Sequence, residues 1–340
     1  MNYISLVDGL KGKRILVTGS SGFLGSHVCQ NLLDRGCEVV GIDNFSFSSS
    51  SPSSSSSLTH LPNKDTDNGD IPEKENTNKK KIIFRRVDIT DANQIGSLFK
   101  DYQFDLVFHL AAVANPRTCK ENFDLAFNVN VAGTKNILVH STKCDLVVFM
   151  SSAAVYGEPL WLPIDENHPT NGADPYSITK IMGESLCLNF VKNYGQKIII
   201  ARNFNTFGIG QLTDYIVPTL IRQALTNKKI EIWNSNPVRD MTYVDNTVNA
   251  LLAIVTSGAR ISDVVYNIGS GRGIRIGELA SMVRDNVDKS IDIVDLQKPV
   301  LGSPRLVSNN TKLRDLGWQE KITLEDGLSK TIEWSKAVTL

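Results

Sequence analysis

The feature that most constrains this chain is a short apolar run, Arg14-Ile15-Leu16-Val17-Thr18, that empties into Gly19-Ser20-Ser21-Gly22-Phe23-Leu24-Gly25 and then into an amphipathic stretch. A buried strand, a glycine turn and a helix open a βαβ unit. The turn must be tight, the backbone must approach whatever lies above it, and a helix N-terminus favours an anion such as a pyrophosphate. Three glycines alone say little; their place between a strand and a helix, just upstream of a second strand-length run that ends on Asp43, makes them specific. A carboxylate at that position accepts hydrogen bonds from an adenosine ribose diol and repels a 2′-phosphate. The cofactor expected is therefore NAD, although Arg85 and Arg86, at the end of the third run, leave NADP open. Asp88 and Ile89 follow that run and are placed to flank the adenine; for Asp88 a plain helix N-cap is the competing reading.

Strand-length apolar runs at 14–18, 38–43, 82–87, 106–110, 146–151 and 198–202 alternate with helix-like stretches at 25–35, 95–102, 127–143 and 176–194. Parallel neighbours need a crossover, usually helical, so the expected class is α/β: a doubly wound parallel sheet. Beyond about Asn203 the alternation weakens. A strand-like piece at 229–233, a helix-like piece at 276–287 and short elements after Ile291 read as a smaller C-terminal α/β substrate domain. The expected division is 1–203 with 238–268 for the cofactor domain and 204–237 with 269–340 for the second. A serine-rich, polar segment over 46–81 has too little apolar surface to offset its ordering entropy and is expected to be a mobile surface insertion.

Lysine plus arginine and aspartate plus glutamate stand at 36 each, so net charge favours neither nucleic acid nor an anionic membrane as partner. No apolar run approaches the length of a membrane span, and a cytoplasmic protein is expected. Cys29, Cys37, Cys119, Cys144 and Cys187 are scattered without metal spacing, so reduced thiols and no metal site are expected.

Tyr176-Ser177-Ile178-Thr179-Lys180 sets a phenol and an ammonium one helical turn apart, hence on one face. A neighbouring cation lowers the pKa of a phenol, which then moves protons near neutral pH. Such a pair is common by itself. Here it follows Ser151-Ser152 at the end of a predicted strand, where ligands bind in open α/β sheets.

The glycine turn, Asp43, His109-Leu110-Ala111-Ala112, Asn130-Val131-Ala132-Gly133-Thr134, Ser151-Ser152-Ala153-Ala154-Val155-Tyr156-Gly157 and Tyr176 with Lys180 together resemble the extended short-chain dehydrogenase/reductase family of sugar-nucleotide enzymes. The resemblance implies a Rossmann-type fold. It implies Ser152, Tyr176 and Lys180 as the catalytic set: Tyr176 as acid/base, Lys180 on the nicotinamide ribose, Ser152 bridging to the sugar hydroxyl. Gly19, Gly22, Phe23, Leu24, Gly25, Asp43, Asn44, Asp88, Ile89, Leu110, Ala111 and Ala112, together with Tyr176 and Lys180, would hold the cofactor. Asn130 would support the site from a neighbouring helix, or else cap a helix end. On the substrate side the resemblance assigns Asn205, in Arg202-Asn203-Phe204-Asn205-Thr206-Phe207-Gly208, and Arg239, in Arg239-Asp240-Met241-Thr242-Tyr243-Val244-Asp245, to a diphosphate, with Val217 near the nucleotide base. For Arg239 the bland reading is a surface pair with Asp240. Where the family often has an RPGD-like turn, this chain reads Val300-Leu301-Gly302-Ser303-Pro304-Arg305.

By resemblance a 4,6-dehydratase carries an acidic pair directly after the catalytic hydroxyl residue, whereas Ala153-Ala154 follow Ser152 here. The run 153–159, with Pro163-Ile164-Asp165-Glu166, is most similar to UDP-glucose 4-epimerases, and implies an NAD-dependent nucleotide-sugar substrate and a homodimer paired through 127–143 and 176–194. A 4-keto-6-deoxy sugar reductase is the runner-up, on Phe204 to Gln211. A non-catalytic dinucleotide-binding regulator has no use for the proton-transfer pair.

Overall fold

The computed structural model describes residues 9–46, 82–258, 263–299 and 302–339. Apart from Ser46, the insertion expected over 46–81 lies outside them, as do Val300 and Leu301.

The chain divides into two compact units. The first comprises Met1–Val155, Gly172–Arg202 and Leu251–Tyr266. Its sheet contains β1 (Arg14–Thr18), β2 (Glu38–Asp43), β3 (Ile82–Arg86), β4 (Leu106–His109), β5 (Leu146–Ser152) and β6 (Ile198–Asn203), with Val265–Ile268 at the edge beside β6, in spatial order 3-2-1-4-5-6 and then that edge strand. The pairs β1/β2, β2/β3, β1/β4 and β4/β5 are parallel and in register. Strand order reverses between β1 and β4, the point at which such sheets open a crevice at their C-terminal ends. The strands read as near-continuous apolar runs because both faces are covered. Leu16, Val40, Ile42, Val107, Val147 and Ile200 form a core with Ile95 and Leu98 of the helix Ala92–Asp101, Ile137 of Thr134–His140, and Cys187 and Phe190 of Pro175–Tyr194.

Predicted strands and helices are present within a few residues of their expected ends. One departure is informative. The helix expected over 127–143 is three pieces: Phe123–Phe127, a π-helical turn Asn128–Gly133, and Thr134–His140. Gly133 packs where a Cβ would lie 2.6 Å from the Ile89 side chain. Such turns are rare and tend to mark functional sites.

The second unit comprises Tyr156–Asn171, Asn203–Ala250 and Asn267–Leu340. Its boundaries differ from the expected 238–268 assignment because the strand Val238–Tyr243 is the centre of the small sheet, pairing with Asn205–Phe207, Gly273–Arg275 and Arg305–Leu306. The segment 156–171 belongs here as well, since the Ile164 N–H donates to the Val307 carbonyl and the Asn309 N–H to that of Ile164, at 2.8 and 2.7 Å. A parallel pair, Lys229–Ile232 with Asp292–Asp295, packs beside the helices Ile216–Thr226 and Ile276–Val287. Asp240, fully buried, accepts five hydrogen bonds: from the N–H and Oγ of Ser270 and of Ser308 and from the Gly271 N–H, at 2.6 to 3.1 Å. Every lone pair of that carboxylate is occupied by a donor on the loops around Val238–Tyr243, which offsets its burial.

Candidate active site

The glycine turn follows β1. Gly19 adopts φ +70°, and a Cβ there would lie 2.9 Å from the Ala111 backbone. At Gly25 a Cβ would overlap the Gly19 carbonyl group. The helix Phe23–Asp34 has Gly22 as N-cap and no capping side chain, so its first N–H groups are not consumed locally. The Ser20 hydroxyl is buried with no hydrogen-bond partner among the described residues. A bare helix N-terminus and two positions too close for a side chain fit a pyrophosphate. Beside this turn an open cleft is lined by Gly19, Gly22, Ile42, Asp43, Asn44, Val87, Ile89, Leu110, Ala111, Ala112 and Val129. Most of the expected cofactor residues thus share one crevice, at the strand ends.

Asp43 closes β2. Its carboxylate accepts from the Ser21 N–H at 3.0 Å and the Phe45 N–H at 2.7 Å. Burial lifts this carboxyl above its ordinary pKa, and the two N–H donors restrain the rise. Asn44 donates to Asp88 at 3.1 Å. Asp88 is not the helix cap: Asp91 caps Ala92–Asp101, accepting from the N–H groups of Asn93 and Gln94. Burial raises the Asp88 carboxyl, but its bonds from Thr90 and Asn44 outweigh that and hold it below the ordinary range. Phe23 and Leu24 begin the first helix, adjoining the cleft without lining it.

Asn130 is not a helix-end cap. It sits within the π-turn, 1% exposed, its Oδ1 accepting from the Val113 N–H at 2.8 Å and its Nδ2 donating to the Val113 carbonyl at 3.0 Å and to Thr179 Oγ1 at 2.9 Å. It therefore joins the segment after Ala112 to the helix that carries Tyr176 and Lys180, and its neighbour Val129 lines the cleft.

Behind Leu110 runs a chain that sequence reasoning did not find. Thr18 Oγ1 accepts from the N–H groups of Leu110 and Ala111, both at 3.1 Å, so its proton goes to His109 Nδ1 at 2.8 Å. His109 Nε2 then carries the hydrogen and donates to Thr134 Oγ1 at 3.0 Å, and Thr134 donates to the Asn130 carbonyl at 2.6 Å. Burial, joined by the Lys180 charge, pushes the imidazole pKa down to about 3, in keeping with this neutral tautomer.

At the end of β5, Ser152 Oγ accepts from the Ala154 N–H at 3.1 Å, and Ala153–Tyr156 forms a 3₁₀ turn. Asp174 caps the helix Pro175–Tyr194 by accepting from the N–H groups of Tyr176 and Ser177. Tyr176, in its first turn, packs with Val113, Cys119 and Ala126 and against Ala154. Lys180, one turn on, is buried; its Nζ donates to the Met150 carbonyl at 2.8 Å and lies 5.1 Å from the Phe149 ring centre. Burial brings the Lys180 pKa down to about 8, against the opposing pull of Cys119, Cys187 and Glu184. Phe149 and Met150, close to Ser152 on β5, thus meet the helix of Tyr176 through the Lys180 side chain. The same helix meets β5 so closely that a Cβ at Gly183 would lie 2.6 Å from the Phe149 ring.

In the second unit Asn205 opens the short strand Asn205–Phe207 and Val217 is buried in the first turn of Ile216–Thr226. Arg239 is no partner of Asp240, whose oxygens are taken by the serine loops. Its guanidinium donates to the carbonyls of Val238 at 3.0 Å and Pro304 at 3.4 Å. Burial lowers its pKa, and no carboxylate pairs with it among the described residues. Arg305 is exposed on the strand beside Val238–Tyr243. All five cysteines are free thiols, and among the described residues there is no cluster that would hold a metal and no helix long and apolar enough to cross a membrane.

This Rossmann-type fold, with its cleft at the strand-order reversal, defines the dinucleotide-binding class of α/β proteins. The chain matches the NAD dependent epimerase/dehydratase family over residues 15–269, and belongs to that family. Among its relatives, a Methanocaldococcus jannaschii protein provisionally named a UDP-glucose 4-epimerase is 30% identical over 330 residues, covering 95% of this chain and 98% of the relative. Human dTDP-D-glucose 4,6-dehydratase is 27% identical, covering 96% of this chain and 91% of its own. Among solved structures, the UDP-glucose 4-epimerase of Thermotoga maritima, determined with UDP-glucose, superimposes with a TM-score of 0.80 at 27% identity, covering 96% of this chain and 100% of that one. The cofactor is NAD, and the chain is an enzyme-family member of the nucleotide-sugar epimerase/dehydratase kind.

Proposed function

We propose that this protein is a UDP-sugar 4-epimerase of the UDP-glucose/UDP-galactose type. The observation that carries the choice within the family is the turn after Ser152: Ala153 and Ala154 stand where dehydration calls for an acidic pair, and Ala153 is buried. A site that moves a proton and a hydride at one carbon, with alanines rather than an acidic pair after Ser152, supports oxidation and its reversal.

NAD, when bound, accepts a hydride and gives it back. The pyrophosphate would rest on Gly19, Gly22 and the bare helix N-terminus, the adenosine ribose on Asp43, and the nicotinamide ribose near Lys180. Tyr176, held as the phenolate by the Lys180 ammonium, takes the proton of the sugar C4 hydroxyl and becomes a neutral phenol, while Ser152 donates a hydrogen bond to the same sugar oxygen. The 4-keto sugar turns its other face, and Tyr176 returns the proton. Arg239, a desolvated guanidinium with only carbonyl partners among the described residues, is suited to the diphosphate, with Asn205 on the same group and Val217 beside the base.

The deciding experiment is to denature purified protein, identify the released nucleotide by mass spectrometry, and incubate native protein with UDP-glucose or UDP-galactose without added cofactor. Interconversion with released NAD is the expected result. No conversion of either sugar, with turnover of a 4-keto-6-deoxy sugar only on addition of NADPH or NADH, would transfer the assignment to the reductase that Phe204 to Gln211 resembles.

A homodimer in the cytoplasm completes the proposal. Phe127 and Val139, and on the other helix Met182, Leu188 and Tyr194, are apolar yet 39 to 66% exposed, on the two segments expected to pair. Sedimentation at micromolar concentration is expected to give a dimer of the 37.5 kDa chain; a purely monomeric species would reject it.

A further inference from the structure

Lys180 is deeply buried, and a buried ammonium needs a reason to keep its proton. The groups acting on it come from several elements: the neutral His109 from β4, the Phe149 ring and Met150 carbonyl from β5, the Cys119 thiol from Pro116–Glu121, and Cys187 and Glu184 from its own helix. Burial pushes both thiols up, Cys119 to about 11, so they stay protonated at neutral pH. Glu184, one turn beyond Lys180, is then the negative charge in this set. It is 4% exposed and held on three sides, accepting from Ser151 Oγ at 2.5 Å and from Arg202 Nε and Nη2 at 3.0 and 2.7 Å. Two consecutive residues of β5 therefore hold this helix, the Met150 carbonyl gripping Lys180 and Ser151 gripping Glu184, and Ser152, the expected catalytic hydroxyl, is next along the strand. A mere helix-to-sheet anchor needs no buried ion pair, because an apolar contact of similar volume serves as well.

We propose that Glu184, fixed by Ser151 and Arg202, is a positioning residue for Lys180: it sets the register of the helix Pro175–Tyr194 on the end of β5 and supplies the charge that keeps the ammonium protonated. This rests on the reading of Tyr176 and Lys180 as the proton-transfer pair. Neutralising Glu184 alone removes that negative charge and leaves the buried Arg202 cation without its carboxylate partner, which favours loss of the lysine proton.

The test uses full-length, NAD-loaded protein labelled with ¹⁵N-lysine. The Lys180 ammonium signal, identified by its loss in Lys180→Arg, is titrated in wild type, Glu184→Gln, and Glu184→Gln combined with Arg202→Met. The expected result is a midpoint about one pH unit lower in Glu184→Gln, with recovery in the double variant, and the same displacement in the basic limb of kcat/KM. A lowered melting temperature with an unmoved midpoint would make Glu184 a structural anchor only and overturn the proposal. Should Glu184→Gln not fold, Ser151→Ala decides: it keeps both charges, and is expected to lower kcat about threefold at unchanged KM; unchanged kcat would overturn the proposal. Because the lysine titration needs no turnover, its shift in a protein inert toward both UDP-sugars would overturn the 4-epimerase assignment while leaving this one standing.

Discussion

Tyr176→Phe is expected to reduce interconversion of UDP-glucose and UDP-galactose by roughly 10²–10⁴-fold, the range associated with loss of a positioned acid/base group. The phenyl ring is retained, so packing with Val113, Cys119 and Ala126 survives and the melting temperature should hardly change. NAD affinity should also be unchanged, since Tyr176 does not line the cleft beside the glycine turn. Turnover and cofactor binding are then separable in a single variant. A mutant that interconverts the sugars at the wild-type rate would remove Tyr176 from the chemistry, and biological activity surviving without turnover would favour a regulatory dinucleotide-binding role.

The second large effect is steric. In Gly25→Ala the new methyl group meets the carbonyl of Gly19, with the carbonyl carbon 2.8 Å away, and no side-chain rotation relieves a clash between two backbone-fixed atoms. Either the helix Phe23–Asp34 or the turn after β1 must shift, which costs about 1–3 kcal/mol by comparison with other overpacked sites. That energy is drawn from the geometry that receives the pyrophosphate, so NAD affinity should fall by about tenfold to a hundredfold, at 1.4 kcal/mol per factor of ten. Gly9→Ala is the control, because a Cβ there meets nothing within 4 Å. Calorimetric titration with NAD gives both numbers, and wild-type affinity in Gly25→Ala would refute the argument.

The parts of this architecture that were legible beforehand are those encoded within one or two turns of chain. Gly19 to Gly25 follows an apolar strand and precedes a helix; Tyr176 and Lys180 are one turn apart. Each is a local pattern with a local cause. The division of 127–143 was not legible, because a π-turn leaves the apolar periodicity almost intact while adding one residue to a turn. Asp88 and Asp91 are both plausible caps by type, and only the hydrogen bonds separate them. The Glu184 and Arg202 pair unites residues on different elements, and its one visible signal was an arginine ending the apolar run Ile198-Ile199-Ile200-Ala201, which a buried strand tolerates only with a partner. The same holds for Asp240, whose neighbour Arg239 offered a ready but mistaken partner, while its donors came from Ser270 and Ser308. Long-range polar satisfaction follows from tertiary placement, which periodicity does not carry.

The Thr18, His109 and Thr134 chain has a bearing on where a proton can travel. Conduction along hydrogen bonds requires each member to receive a proton on one side as it releases one on the other. Here the sequence of donors runs in one direction, from Thr18 through the imidazole to Thr134, and terminates on the Asn130 backbone carbonyl, which has nothing to pass on. The far end is no better, for Thr18 Oγ1 is approached by two amide N–H groups that do not give up their hydrogens. The polar thread beneath the cleft is accordingly an insulator, a strut rather than a wire. A proton lifted from a bound sugar finds no drain toward the interior by this route, which suits a reaction that must hand the same proton back.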